Sequence, residues 1–205
     1  MVRTGRPRKF NRDEAVAAAM FLFWEYGFES TSLAHLREAM GGISPASFYA
    51  AFESKETLFC EAMELYTSTY GQVSESFRDE SLTSRAAIEQ GLRRSARMQT
   101  DNSHPLGCLL VLSAVNCSAE QKHITEMLVK ERERSRGWLK ECIERAVSNR
   151  ELPDSTDISM LVVLFDTFLQ GISTQARDAV PYENIDKAIT QLMQIWDLLS
   201  AKSVI

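Results

Sequence analysis

Apolar residues recur along this chain three and four positions apart, the spacing that places side chains on one helix face. Asn11 with Glu14 three positions later makes a capping-box-like start, after which Val16, Ala19, Met20 and Phe23 share a face and Gly27 supplies the terminating turn. Leu33, Leu36 and Met40 repeat the spacing before Gly41 and Gly42 interrupt it. A second short run then opens at Ser44, which can cap the orphan N–H groups, and Pro45, which fits the first helical position. The pattern predicts helix, turn, helix. Phe28 is expected to tuck under this pair and Phe48 and Phe52 to pack its small core, whereas Phe21 and Trp24 lie off the main stripe and face the second part of the chain. A further stripe (Leu58, Phe59, Ala62, Leu65, Tyr66, Tyr70) predicts one helix over residues 55–77.

Beyond a polar break, residues 84–99 read as a helix and residues 100–105 (TDNSHP) as a turn cluster. GCLLVLSAVN follows as a short, almost wholly apolar helix that must be buried. Ser118 with Gln121 makes another capping box, opening a long helix over residues 118–148 whose opposite face, KERERSR at 130–136, reads as a solvated charge run. NRELPD at 149–154 breaks the chain, one helix follows to about residue 176, and after Pro181 a last helix carries Ile185, Ala188, Ile189, Leu192, Ile195, Trp196 and Leu199. The expected fold class is all-α, a three-helix N-terminal head on a C-terminal helical bundle, with about nine helices. The last two helices are apolar on more than one face, beyond what a monomer needs.

Charge changes the picture more than composition does. The chain of 205 residues carries a formal net charge of −5, which argues against nucleic acid at first sight, yet the charge is unevenly spread. Arg3, Arg6, Arg8, Lys9, Arg12, Arg37 and Lys55 make seven basic residues through position 55, against six acids (Asp13, Glu14, Glu25, Glu29, Glu38, Glu53). The remainder is therefore acidic, as suits a DNA-binding head on a body that avoids phosphates. Residues 1–10 are too basic and too rich in Gly and Pro to fold alone and read as a flexible tail. Arg3, Arg6 and Arg8 around Gly-Arg-Pro are suited to a narrow A·T-rich minor groove, or to phosphate alone, or to nothing but solvent. No apolar run approaches the ~18 residues of a membrane span and no apolar segment backs the basic N-terminus, so a cytoplasmic location without membrane contact is the default. Cys60, Cys108, Cys117 and Cys142 form no CxxC pair and read as buried reduced thiols.

A short helix with such a marked start can enter the DNA major groove, N-terminal residues leading. The order FLFWEYGFESTSL, a helix, a glycine turn and SPASFYAAFESKETLF resembles the N-terminal domain of the TetR family of bacterial transcriptional repressors. The likeness is dense over residues 13–59, where Phe23, Gly27, Phe28, Thr31, Ser44, Phe48, Tyr49, Phe52, Ser54, Lys55 and Leu58 match typical positions. One departure is that AMGGIS carries one residue more than the commoner AGVS turn. The resemblance implies a helix-turn-helix DNA-binding domain over residues 11–55 and a ligand-binding and dimerisation domain over 56–205, with the last two helices pairing with their two-fold mates. Tyr49 then suits a phosphate oxygen or a thymine methyl, Lys55 after Ser54 suits a phosphate, and Thr31 and Ser32 grip another phosphate or simply cap a helix. Base reading falls to Ser44, Pro45, Ala46, Ser47 and Ala50, with Arg37 alongside. None of these offers the bidentate Arg, Asn or Gln contact from the recognition helix itself.

In the body the resemblance implies a cavity for a small inducer, with Met98, His104, Cys108, Leu112, Trp138, Phe165, Phe168 and Gln170 as candidate lining, each with a competing reading as plain core. GCLLVLSAVNC resembles a subgroup that includes a repressor responsive to reactive electrophiles, in which a cysteine at the position of Cys108 takes part in sensing. Cys108 opens its helix, where the dipole favours the thiolate. An aromatic or fatty noncovalent ligand is the alternative to thiol chemistry. We expect no cofactor and no metal; Cys108, Cys117, His104 and His123 are the residues from which a soft-metal site could be drawn. The function so implied is a ligand-responsive repressor that binds a palindromic operator as a dimer and is released by an inducer or by thiol modification. The competing classes are a thiol-dependent enzyme and a helical ligand-binding adaptor without DNA binding. No Ser/His/Asp set, glycine-rich phosphate loop or paired carboxylates near a histidine favour an enzyme.

Overall fold

A computed structural model of the chain describes residues 11–115 and 121–201. Among the described residues there are nine α-helices, one 3-10 helix and no strand. In order they are α1 (Arg12–Ser30), α2 (Leu33–Ala39), α3 (Pro45–Phe52), α4 (Lys55–Ser68), the 3-10 helix (Tyr70–Arg78), α5 (Ser84–Gln99), α6 (Leu109–Val115), α7 (Lys122–Ser148), α8 (Ile158–Arg177) and α9 (Tyr182–Ser200). The all-α fold of head and bundle is as the pattern predicts.

The head closes on a small aromatic core. Asn11 caps α1, its side-chain oxygen accepting from the Asp13 and Glu14 N–H groups. Gly27 takes a left-handed conformation (φ +78°) that breaks α1 before one more helical turn. That turn delivers Phe28 onto Phe23 and Phe59, with ring centroids 6.0 and 5.1 Å away, while Phe23 meets Phe59 edge-on at 4.9 Å. Leu36, Phe48, Phe52 and Leu58 complete a core that excludes water. Such aromatic pairs add about 0.5–1.5 kcal/mol each beyond the area they bury. The extra residue between α2 and α3 is absorbed by consecutive left-handed glycines, Gly41 and Gly42 (φ +86° and +76°). Arg37 then fastens the turn, its Nε donating to the Ile43 carbonyl at 2.8 Å.

The helix expected to run to residue 77 ends at Ser68. The hydroxyls of Ser68 and Thr69 donate back to the Glu64 and Leu65 carbonyls at 2.8 and 2.6 Å, offering the backbone an alternative to the next helical turn. The chain continues as the 3-10 helix, which lies across α5: Ser76 Oγ donates to the Ala87 carbonyl at 2.9 Å, and the Phe77 ring covers Gly91. The Ser118 capping box lies outside the described residues, and α7 begins at Lys122 with no side-chain cap at Gln121. The charge run on α7 is solvated only in part. Arg132 turns inward to the Leu110 carbonyl at 2.7 Å, and Arg136 to Asp166 at 2.9 Å. The expectation that the α6 segment is buried holds for Leu109 and Ser113, whereas Leu110, Val111 and Leu112 are only partly covered.

Two apolar clusters result. The head cluster runs on through Met63 and Tyr66 of α4 to Leu109 of α6 and to Ile124 and Leu128 of α7. The second joins Phe77, α5, the C-terminal half of α7, α8 and α9 around Leu139, Ile143, Phe165 and Trp196. By length and composition α8 is apolar enough to cross a membrane. Here Leu161, Val162, Phe165 and Ile172 bury its apolar side in the second cluster.

A Cβ at Gly91 would stand 2.4 Å from the Phe77 ring. Gly91→Ala is therefore expected to push Phe77 out of its seat and destabilise the chain by about 1–3 kcal/mol, read as a lowered urea midpoint. An unchanged midpoint would mean that the 3-10 helix does not need this approach.

Candidate nucleic-acid interface and interior cavity

The exposed surface of the head is built by caps. Ser32 accepts from the His35 N–H at 3.1 Å and Ser44 from the Ser47 N–H at 3.1 Å, so both helices of the pair present capped N-termini to solvent. Pro45, Ala46, Ser47 and Ala50 are exposed on α3. Tyr49 is 49% exposed although its ring leans edge-on against Phe48 at 5.5 Å. The result is a small, uncharged, hydroxyl-bearing ridge of the size that enters a major groove.

The candidate cations of the head are mostly engaged. Arg12 pairs with Glu61 at 2.6 Å and lies over the Phe52 ring. Arg37 spends its Nε on the Ile43 carbonyl, which leaves its terminal nitrogens for other partners. Lys55 lies 4.3 Å over the Phe28 ring and 3.5 Å from the Glu29 carbonyl, and its half-burial lowers its pKa against the pull of Glu56 and Glu29. Thr31 corrects the sequence reading: it is fully buried, and its hydroxyl donates to the Gly27 carbonyl at 2.7 Å, so it pins the α1 turn and leaves no side chain for a phosphate. Arg3, Arg6 and Arg8 lie outside the described residues.

Head and body meet at Trp24. Its indole Nε1 donates to the Gly107 carbonyl at 3.0 Å, and its ring is covered by His104, Tyr66 and Tyr70 at 4.5, 4.8 and 5.0 Å. Arg177, at the end of α8, donates to the Trp24 and Glu25 carbonyls at 2.9 and 3.0 Å and pairs with the Glu25 carboxylate.

Behind this junction α4, the 3-10 helix, α5, α6, α7 and α8 enclose a cavity of roughly 210 Å³, mostly apolar and open to solvent on one side. Of the expected lining the structure brings Met98, Cys108, Trp138 and Gln170 to it. It does not bring the other four. His104 is stacked on Trp24, Leu112 packs by Gly107, Phe165 is buried beside Trp196, and Phe168 packs on the second cluster. Sequence reasoning missed Tyr66, Arg132 and Asp166. Tyr66 sits on an apolar stripe and Arg132 in a charge run, and only its register, one helical turn from Arg136, hints that both turn inward. Within the lining, Asp166 accepts from Arg136 at 2.9 Å and from Gln170 at 2.8 Å, and Glu131 is paired with Arg134. Arg78 and Arg134 both lie over the Trp138 ring, at 5.0 and 5.4 Å.

Cys108 does open α6, with Tyr66 donating to its Sγ at 3.3 Å. The expected low pKa is nevertheless corrected. Burial pushes the thiol up, outweighing the Tyr66 hydroxyl, the Val111 and Leu110 N–H groups and Arg132, all of which favour the thiolate. The side chain is packed deep among protein atoms while keeping a window on the cavity. Among the described residues no three His, Cys, Asp or Glu side chains gather as a metal site. Cys117 lies outside them.

Comparison with known proteins gives the same reading for both parts of the chain. Residues 15–62 match the profile of the bacterial regulatory proteins of the tetR family, and residues 83–192 match the tetracyclin repressor-like C-terminal domain. The transcriptional repressor ComR of Escherichia coli (strain K12) is 28% identical over 194 residues, covering 94% of this chain and 91% of ComR. BdcR of the same organism, also a transcriptional repressor, is 34% identical over 108 residues, 52% of this chain and 54% of BdcR. The solved structure of a cysteine mutant of the regulator CifR, complexed with a 26 bp double-strand operator DNA, is 37% identical and superposes with a TM-score of 0.86, covering 93% of this chain and all of that one. The chain belongs to the TetR family of bacterial regulatory proteins.

Proposed function

We propose that the chain is a transcriptional repressor that holds a palindromic operator as a homodimer and releases it when a small molecule occupies the cavity. The observation that carries the reading is the capped, exposed ridge of α3 on a buried helix-turn-helix core, in an architecture that CifR shares in its operator complex. Two-fold pairing is supported by apolar surface on the last two helices. Met160, Val163, Ile195 and Leu198 stand exposed there, Val163 at 63% and Leu198 at 68%. An isologous dimer through these faces sets two heads to meet successive major grooves about 34–36 Å apart. Acting on DNA places the protein in the cytoplasm, and binding rather than catalysis is its work.

Within the head, Ser32, Ser44 and Tyr49 donate to phosphates, and Pro45, Ala46, Ser47 and the Tyr49 ring face the bases. Arg37 acts by holding the turn. Because Arg12 and Lys55 are engaged internally, most phosphate neutralisation falls to Arg3, Arg6 and Arg8. Replacing these three with Ala is expected to weaken operator binding and to flatten its log-log salt slope by about 1 for each phosphate no longer neutralised, read by fluorescence anisotropy on the natural promoter. Tyr49→Ala is expected to cost affinity with little change in slope. A slope unchanged by the tail substitutions would take the tail off the DNA.

A second route of release has its own support, since Cys108 faces the cavity and Tyr66 of α4 bonds to its sulfur. Modification of Cys108 would break that bond. Burial raises the folded thiol's pKa above its ordinary value, so its thiolate fraction at neutral pH is below that of a free cysteine. The rate of Cys108 alkylation by iodoacetamide, followed by peptide mass spectrometry, should keep climbing at pH values where an ordinary thiol has levelled off. A plateau at or below the ordinary pH would refute the effect of burial and restore the dipole-activated thiolate.

A further inference from the structure

We propose that the effector is a small organic monocarboxylate, its carboxylate paired with Arg132 and its hydrocarbon body laid along the apolar wall of the cavity. This rests on the repressor reading, because it names the chemistry of that same site.

The inference comes from balancing the charges that line the cavity. Asp166, which is almost fully buried, is matched by Arg136 and further held by Gln170. Glu131 is matched by Arg134, whose guanidinium also covers Trp138. Glu75 is an exposed side chain of the lining, where water screens it. Arg132 is left over. Among the described residues its guanidinium makes no ion pair and one hydrogen bond, from one terminal nitrogen to the Leu110 carbonyl. A guanidinium has five N–H donors in a flat fork, so most of this one's hydrogen-bonding capacity is unused. The group is half-buried, and desolvation lowers its pKa, outweighing the pull of Cys108, Asp166 and Glu133, to none of which it is bonded.

The carboxylates that act on it are taken up elsewhere, Asp166 by Arg136 and Gln170, and Glu133 by solvent, and its uncharged neighbours supply no anion. Cys108 is held as a neutral thiol by burial, and the Tyr66 hydroxyl is a neutral phenol already donating to Cys108. An unpaired cation in a largely apolar chamber is costly, and a ligand that brings one negative charge removes that cost. A carboxylate fits the fork bidentately, as a neutral amide or ester does not. A phosphate dianion asks for a second free cation in the lining; Arg134 and Arg136 are already committed, and Arg78, over Trp138, is exposed and outside the lining. The rest of the ligand meets Met98, Val111 and Leu169, which favour hydrocarbon.

The test uses the full-length protein and a panel of benzoate, phenylacetate, hexanoate and octanoate, each beside its own primary amide. Direct binding is measured by calorimetry and operator release by fluorescence anisotropy. At least one acid should bind and release DNA, with its amide weaker by about ten-fold or more. Arg132→Gln should bring acid and amide to equal affinity. Arg132→Lys, which keeps the charge but loses the fork, should retain part of the preference. Lys130→Gln, which removes an exposed charge on the same helix, should leave the preference unchanged. Amides binding as well as acids, no binding by any acid, or a preference that survives Arg132→Gln would each overturn the proposal. The wild-type acid-to-amide ratio stands even if Arg132→Gln does not fold. Calorimetry and operator binding separate the two readings. Acid binding by a protein with no operator affinity would sink the repressor reading, whereas operator binding with no acid response would sink only the carboxylate.

Discussion

The structure turns on one buried hydrogen bond between its two parts, Trp24 Nε1 to the Gly107 carbonyl. An indole can be buried cheaply only if its N–H finds an acceptor, and α1 has none to offer because its own carbonyls are used within the helix. The acceptor comes from the loop ahead of α6, which can approach only because residue 107 is glycine. Its φ is +82°, and a Cβ there would stand 2.6 Å from Leu112 and 3.0 Å from the Ser173 carbonyl. Arg177 then caps the arrangement from the far side through the carbonyls of Trp24 and Glu25. The head is thus set on the body by contacts from α6 and α8, two of the helices that wall the cavity.

The head also illustrates how a basic segment is divided between folding and binding. Arg12, Arg37 and Lys55 all add to the positive charge of the first 55 residues, yet each has an internal partner in Glu61, the Ile43 carbonyl, or the Phe28 ring and the Glu29 carbonyl. Arg37 is the instructive case. A turn lengthened by one residue needs two left-handed glycines to close, and such a turn loses more backbone entropy on folding than one built from ordinary residues. The guanidinium bond to the Ile43 carbonyl offsets part of that cost and fixes the angle between α2 and α3. On the proposed function, base discrimination would rest on a ridge of small side chains and one tyrosine, where shape and methyl contacts count for more than bidentate hydrogen bonds.

Local signals in the sequence suffice wherever a single residue type decides the outcome. Asn11, Ser44, Pro45 and the glycine pair mark helix starts and turns because caps and positive φ are properties of one or two residues. The end of α4 is not legible in this way, because the apolar stripe continues through Tyr70 and only the back-bonding hydroxyls of Ser68 and Thr69, together with the seat for Phe77 at Gly91, stop it. Burial reverses two readings of polar groups. Thr31 has the sequence signature of an exposed cap and is a buried pin, and Cys108 has the position of an activated thiol and lies where desolvation outweighs the helix terminus. The cavity is half legible: Met98, Cys108, Trp138 and Gln170 reach it, but long-range packing alone separates them from Phe165 and Phe168. Arg132 is hard to pick out beforehand, because within a charge run only its register, one helical turn from Arg136, marks it as a charge that turns inward.

On the repressor reading, the distance from cavity to DNA is bridged by few groups, and the energies match. Tyr66 of α4 lines the cavity, bonds to Cys108 and touches Trp24 edge-on, so one side chain faces both the ligand and the head. A ligand at Arg132 acts beside Leu110, two residues from Cys108 and three from Gly107, on the stretch of chain that accepts the indole bond. Loosening one or two such hydrogen bonds is worth about 0.5–1.5 kcal/mol each. Coupling between sites in allosteric proteins is typically about 1–3 kcal/mol. Occupancy of the cavity therefore does not have to unfold anything or move a domain far; it has only to favour an α6 position in which the Trp24 bond is poorer, and the two heads of the dimer lose their register on the operator.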